Sequence, residues 1–139
     1  MASIKHLFHI STPREKVYKE VSTAEGAAKW WTTATHGDDK VGGTLLVPFG
    51  VHATMKFKVK ELKPNEKVVW ECMDGNPDWV GTTLTFALDE NEGKTRVRFE
   101  HTGWKEAGDH YANCCFSWGR YMESLRQLCQ TGKGMPFGG

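Results

Sequence analysis

The sequence predicts an α+β domain. Two short helices with cap signals follow a first apolar strand. From about residue 40 to residue 103 the apolar residues recur with period two. From about Trp104 to Thr131 they recur at steps of three and four. Strands and helices are thus segregated along the chain, which points to an antiparallel sheet carrying helices on one face.

Composition sets the frame. The 139 residues suit one domain spanning 1–139, with a short flexible tail from about residue 132. The charged fraction is 25% and the formal net charge +1, so neither nucleic acid nor an anionic membrane is an expected partner. "MASIKHLFHI" places charge and histidine where a secretory signal needs a continuous apolar core, and no apolar run is long enough to span a bilayer. Cys114 and Cys115 are adjacent and Cys72 and Cys129 stand apart, a spacing that does not suit paired disulfides. Reduced thiols in a cytoplasmic protein are expected.

Each element has its own signal. "IKHLFHI" (4–10) reads as a strand with Ile4, Phe8 and Ile10 on one face. "STPREKVYKEVS" reads as a helix start, with Thr12 as cap, Pro13 at the first helical position and Glu15 completing a capping box. Ser22 and Glu25 repeat the signal for a second helix ending at Trp30 and Trp31. "KVGGTLLVPF" is a strand after a polar loop. "HATMKFKVKEL" alternates: Ala53, Met55, Phe57 and Val59 face inward, Thr54, Lys56, Lys58 and Lys60 outward. "KVVWECMD" and "WVGTTLTFALD" follow, the latter with Val80, Thr82, Leu84, Phe86 and Leu88 aligned inward. "ENEGK" is a hairpin turn into "TRVRFEHTG", which Gly103 ends. The last helix carries a stripe of Tyr111, Cys115, Trp118, Met122, Leu125 and Cys129, and "TGKG" supplies a glycine stop.

This order of elements, with "I-x-H-x-F-x-I-S-T-P-R-E-K-V-Y", the "W-W" pair, "V-V-W-E-C", "H-T-G-W" and "F-S-W-G-R-Y-M-E-S-L", resembles the START-like, or Bet v 1-like (SRPBCC), superfamily. Within it the sequence is similar to the Hsp90-ATPase-activator-homologue-like branch. The resemblance covers nearly the whole chain. It implies a helix-grip fold: a curved antiparallel sheet of about six strands wrapped on a long C-terminal helix, with two short helices after the first strand. It implies a cavity between sheet and helix that takes a small hydrophobic or amphipathic ligand, and it does not imply one chemistry. It also leaves open a homodimer and a chaperone-associated interaction module, although the activator proteins carry this domain type beside a second one.

The candidate site residues follow from strand alternation and the helical stripe. Ligand-lining positions are Trp30, Phe57, Trp70, Phe99, His101, Trp104, Tyr111, Cys115, Trp118 and Met122, with Trp104 and the first helical turn as a gate. His101 and Tyr111 are the expected polar anchors at the mouth. The alternative is an enzyme of the cyclase or hydrolase type on an apolar substrate, with His101 as acid or base. A Cys115–His101 nucleophile pair is disfavoured because a thiol in apolar surroundings is inert. Metal is not expected, since "DHYANCC" has no paired zinc spacing and His110 reads as a surface residue; no cofactor is expected either. Lys56, Lys58, Lys60, Lys63 and Lys67 read as a solvated sheet face balanced by neighbouring acids.

Overall fold

The computed structural model describes residues 2–138. The elements run β1 (Ala2–Ile10), α1 (Arg14–Ser22), α2 (Ala24–Trp30), β2 (His36–Gly37), β3 (Thr44–Pro48), β4 (Thr54–Lys63), β5 (Lys67–Asp74), β6 (Thr83–Asn91), β7 (Lys94–Trp104) and α3 (Asp109–Thr131). The strands form one antiparallel sheet in the order β1-β7-β6-β5-β4-β3-β2. The two-residue β2 brings the strand number to seven. The first strand therefore lies beside the last, and α3 packs on the same face as α1 and α2, against β1.

Alternation places Met55, Phe57 and Val59 of β4, Val68, Trp70 and Cys72 of β5, and Leu84, Phe86 and Leu88 of β6 in the core. The lysines of the opposite face meet acids across the sheet and its turn: Lys60 with Glu71 at 3.5 Å, Lys63 with Glu66 at 3.4 Å and Lys67 with Glu61 at 3.5 Å. The β6–β7 hairpin closes through Glu92 and Gly93, whose φ values are both positive, as a two-residue type I′ turn requires.

Several local expectations are corrected. Thr12 does not cap α1; its hydroxyl donates to the Cys129 carbonyl at 3.0 Å, tying the turn after β1 to α3. The second helix is capped by Thr23 rather than Ser22, with the Thr23 Oγ1 accepting from Gly26 N at 3.0 Å. The strand expected at Trp79–Thr82 begins only at Thr83. The preceding turn leaves Val80 41% exposed and sends Trp79, 6% exposed, inward. The last helix starts at Asp109, and Trp104 ends β7.

Gly103 does not end the strand but bulges from it. Ala2 opposes Trp104 and Ser3 opposes Thr102, so Gly103 has no partner, and its φ is +94°. Alternation from His101 would point Trp104 outward. The extra residue turns it inward, and it is 2% exposed. The expected glycine stop is present: Gly132 adopts φ +88° and donates to the Leu128 carbonyl at 2.9 Å. The tail beyond it is tied down rather than loose. Phe137 N donates to the Trp31 carbonyl, Thr33 N to the Phe137 carbonyl, and Met135 N to Ser124 Oγ. The last glycine of that tail lies outside the described residues.

Candidate functional site

The interior centre is closed. Phe57, Trp70, Phe99 and Trp118, expected to surround a space, are packed into one aromatic cluster. Trp31 fills its middle, at 5.6 Å from Phe57, 6.3 Å from Trp70 and 5.1 Å from Trp118 between ring centroids. Trp30 lies beneath, stacked on Trp31 at 5.7 Å, with its indole N–H donating to the Glu20 carbonyl. Open space lies further out, on two sides of α3: a shallow groove of about 760 Å³ runs past His6, Cys115, Arg120 and Met135. A cleft of about 350 Å³ sits between the N-terminal half of α3, the β3–β4 and β5–β6 loops and the C-terminal tail. Its floor is Trp31, Phe49, Met55, Trp79 and Trp118, and its rim is His52, Asn76, His110, Asn113, Ser117 and Tyr121. Trp79 is nearly parallel to both Trp31 and Trp118, with interplanar angles of 20° and 25°.

His101 is not at the mouth. It has no exposed surface, and both ring nitrogens are used. The Trp118 indole N–H donates to Nδ1 at 3.0 Å. An indole nitrogen can only donate, so Nδ1 is the acceptor and Nε2 carries the proton. Nε2 then donates to Thr82 Oγ1 at 2.8 Å, and the Thr82 hydroxyl donates to the Trp79 carbonyl. Burial, assisted by nearby His110, depresses the His101 pKa to about 3. The ring is a neutral structural link among three tryptophan-bearing elements, which removes the basis for His101 as acid, base or anchor. Tyr111 is half-buried and spends its hydroxyl on the Ser3 carbonyl at 2.6 Å, so it is no anchor either.

The α3 stripe holds at Trp118, Met122, Leu125 and Cys129, all buried, and departs from its expected line only in the first turns, at Tyr111 and Cys115. Cys114 is buried and lines the cleft; Cys115 is half-buried on the opposite side, where its carbonyl accepts from His6 Nε2. Both positions satisfy helical spacing to Trp118, one at four residues and one at three. Burial raises the Cys114 pKa, so the thiol is a poor nucleophile; burial likewise raises Cys72 to about 11 and Cys129 to about 12. Met122 is buried beneath a separate groove against β1. Of the expected lining residues, Trp118 reaches the cleft; Trp30, Phe57, Trp70, Phe99, His101 and Trp104 lie in the core.

The rim residues were missed because they sit on loops or on a helix turn read as surface. His110 is such a case. Its Nδ1 lies 2.7 Å from Asp78 Oδ2, which joins the first turn of α3 to the β5–β6 loop. That loop is held in a compact turn: Asp78 N donates to Asn76 Oδ1, and Trp79 N and Val80 N both donate to the Asn76 carbonyl. Among the described residues no three His, Cys, Asp or Glu side chains are grouped to hold a metal, and no helix is long and apolar enough to cross a membrane.

A curved antiparallel sheet gripping one long helix, with two short helices after the first strand and a cleft at the open end of the helix, defines a START-like, Bet v 1-like helix-grip protein. The family model "Activator of Hsp90 ATPase homolog 1-like protein" matches residues 11–130, and the chain belongs to that family. Among solved structures it is similar to the Aha1 dimer from Colwellia psychrerythraea, with 36% identity over 96% of this chain and 100% of that one, at a TM-score of 0.86. It is also similar to a Bacillus halodurans protein, with 26% identity over 94% and 98% of the two chains and a TM-score of 0.73. A Mesorhizobium loti protein shares the fold at 19% identity over 91% and 96%, with a TM-score of 0.81. No curated protein matches.

Proposed function

We propose that the chain binds a small hydrophobic or amphipathic molecule in the cleft over Trp31, Trp79 and Trp118. The observation that carries this is the cleft itself: about 350 Å³, floored by aromatic side chains and rimmed by polar ones. Apolar floors with a few polar groups are the usual composition of small-molecule sites. A ligand burying about 250 Å² of apolar surface gains roughly 6 kcal/mol before the costs of association, which sets affinity at about micromolar. The four free cysteines support a reducing compartment, the cytoplasm.

Tryptophan fluorescence tests the proposal. Naphthalene should quench or shift emission saturably, and Ser117→Trp, which fills the cleft from the outer side of α3, should abolish the response. A wild-type protein giving no saturable signal with naphthalene or with laurate would sink it.

Self-association is a second reading, favoured by the dimeric state of the Colwellia relative. Leu7, Phe116 and Met135 are exposed apolar side chains that a second copy can cover. Light scattering on the eluting protein should give a dimer mass; a monomer mass at the highest soluble concentration rejects it. A chaperone-associated role rests on the family likeness alone.

A further inference from the structure

One polar residue of the cleft rim is oriented in a defined way. Asp78 is an acceptor when ionised, so the hydrogen bond at 2.7 Å requires the proton on His110 Nδ1. In the neutral ring Nε2 then carries an unprotonated lone pair, and among the described residues no hydrogen bond to Nε2 is formed. His110 lies on the cleft rim, three residues before Asn113 and four before Cys114, which line the same cleft from the same helix face. Trp104 packs edge-on to the His110 ring at 5.5 Å, and Asp78 is held by the Asn76 turn, so the imidazole is fixed from two sides.

We propose that His110, oriented by Asp78, is the specificity residue of the cleft, and that the ligand is a flat aromatic compound bearing a hydroxyl group that donates to His110 Nε2. The aromatic body follows from the lining: Trp31, Phe49, Trp79, Trp118, Tyr121 and Phe137 all border the cleft, and their faces and edges favour an aromatic ring among them. The hydroxyl follows from the oriented tautomer, which offers an acceptor and no donor toward the ligand. The proposal rests on the cleft being a ligand site, and the experiment separates the two.

Isothermal titration calorimetry compares 2-naphthol with 2-methoxynaphthalene, which has a similar ring body and no donor. Wild-type protein should bind 2-naphthol about three- to tenfold more tightly, the span of one neutral hydrogen bond. His110→Ala and Asp78→Ala should each bring the ratio to about one, and Asp78→Ala, which removes no side chain from the cleft lining, should leave the 2-methoxynaphthalene affinity within about twofold. Both side chains are at the surface, and unchanged melting curves confirm that each variant is folded. Equal wild-type affinities for the two probes, or a preference that survives both substitutions, overturns the assignment of His110 but leaves the cleft as a ligand site. Binding of neither probe overturns the proposal, and the ligand site falls with it when laurate also fails to bind.

Discussion

His101 makes acid stability a direct readout of how the core is wired. In the native chain its ring is fully buried, accepts from Trp118, donates to Thr82 and has a pKa near 3. In the unfolded chain it titrates near 6.5. Between those values the unfolded state binds a proton that the native state does not, so stability falls as pH drops below about 6.5 and is regained as pH rises through it. From pH ~7.5 to ~5.5 this single group should remove about 1.4 kcal/mol, a result that holds for any native value below about 4.5. Urea unfolding of wild type and His101→Gln at the two pH values isolates it, because the other histidines are common to both proteins. The variant should be less stable overall, having left the Trp118 indole without its acceptor, by about 1–3 kcal/mol. Its loss between the two pH values should nevertheless be smaller than that of wild type by about 1.4 kcal/mol. Equal losses in the two proteins would mean that native His101 takes up its proton over this range as readily as the unfolded chain does, and that the buried chain from Trp118 to Thr82 is misassigned.

Trp118→Ala should cost about 3–5 kcal/mol in chemical denaturation, since it empties an aromatic site in contact with Trp31, Phe99 and Trp79; a change within error means the α3 stripe is elsewhere. With an aromatic disulfide reagent at pH ~8, Cys72, Cys114 and Cys129 should react only on unfolding because burial holds them protonated, leaving half-buried Cys115 as the one candidate for native labelling; rapid modification of three or four thiols contradicts their placement. A chelator should leave the melting temperature unchanged, and one zinc per chain lost in Cys114→Ala would overturn the metal-free reading of the "DHYANCC" segment.

The aromatic cleft shows where a linear reading of this chain stops. The strand faces of β4, β5 and β7 were legible because period-two alternation is a property of each strand alone: Met55, Phe57 and Val59 are buried wherever β4 lies, provided one face is wet. Trp79 was not legible. The segment "WVGTT" reads as a strand that puts Val80 inward, and only the Asn76 turn, with two backbone donors on one carbonyl, rolls Trp79 under α3 instead. Trp104 was assigned inward without the reason for it, which is the bulge at Gly103.

The sequence by itself determined the element order, the α+β class, the long C-terminal helix and the glycine stop, because each depends on local periodicity or backbone propensity. The tertiary structure alone decided which of two adjacent cysteines faces inward, that His101 is a closed link rather than a base, and that Asp78 meets His110 across 32 positions of chain. Those outcomes depend on helix rotation and loop approach of a single residue or a few ångströms. At that scale Cys114 and Cys115 fit the same periodicity equally well, and packing against Trp79 and β1 separates them.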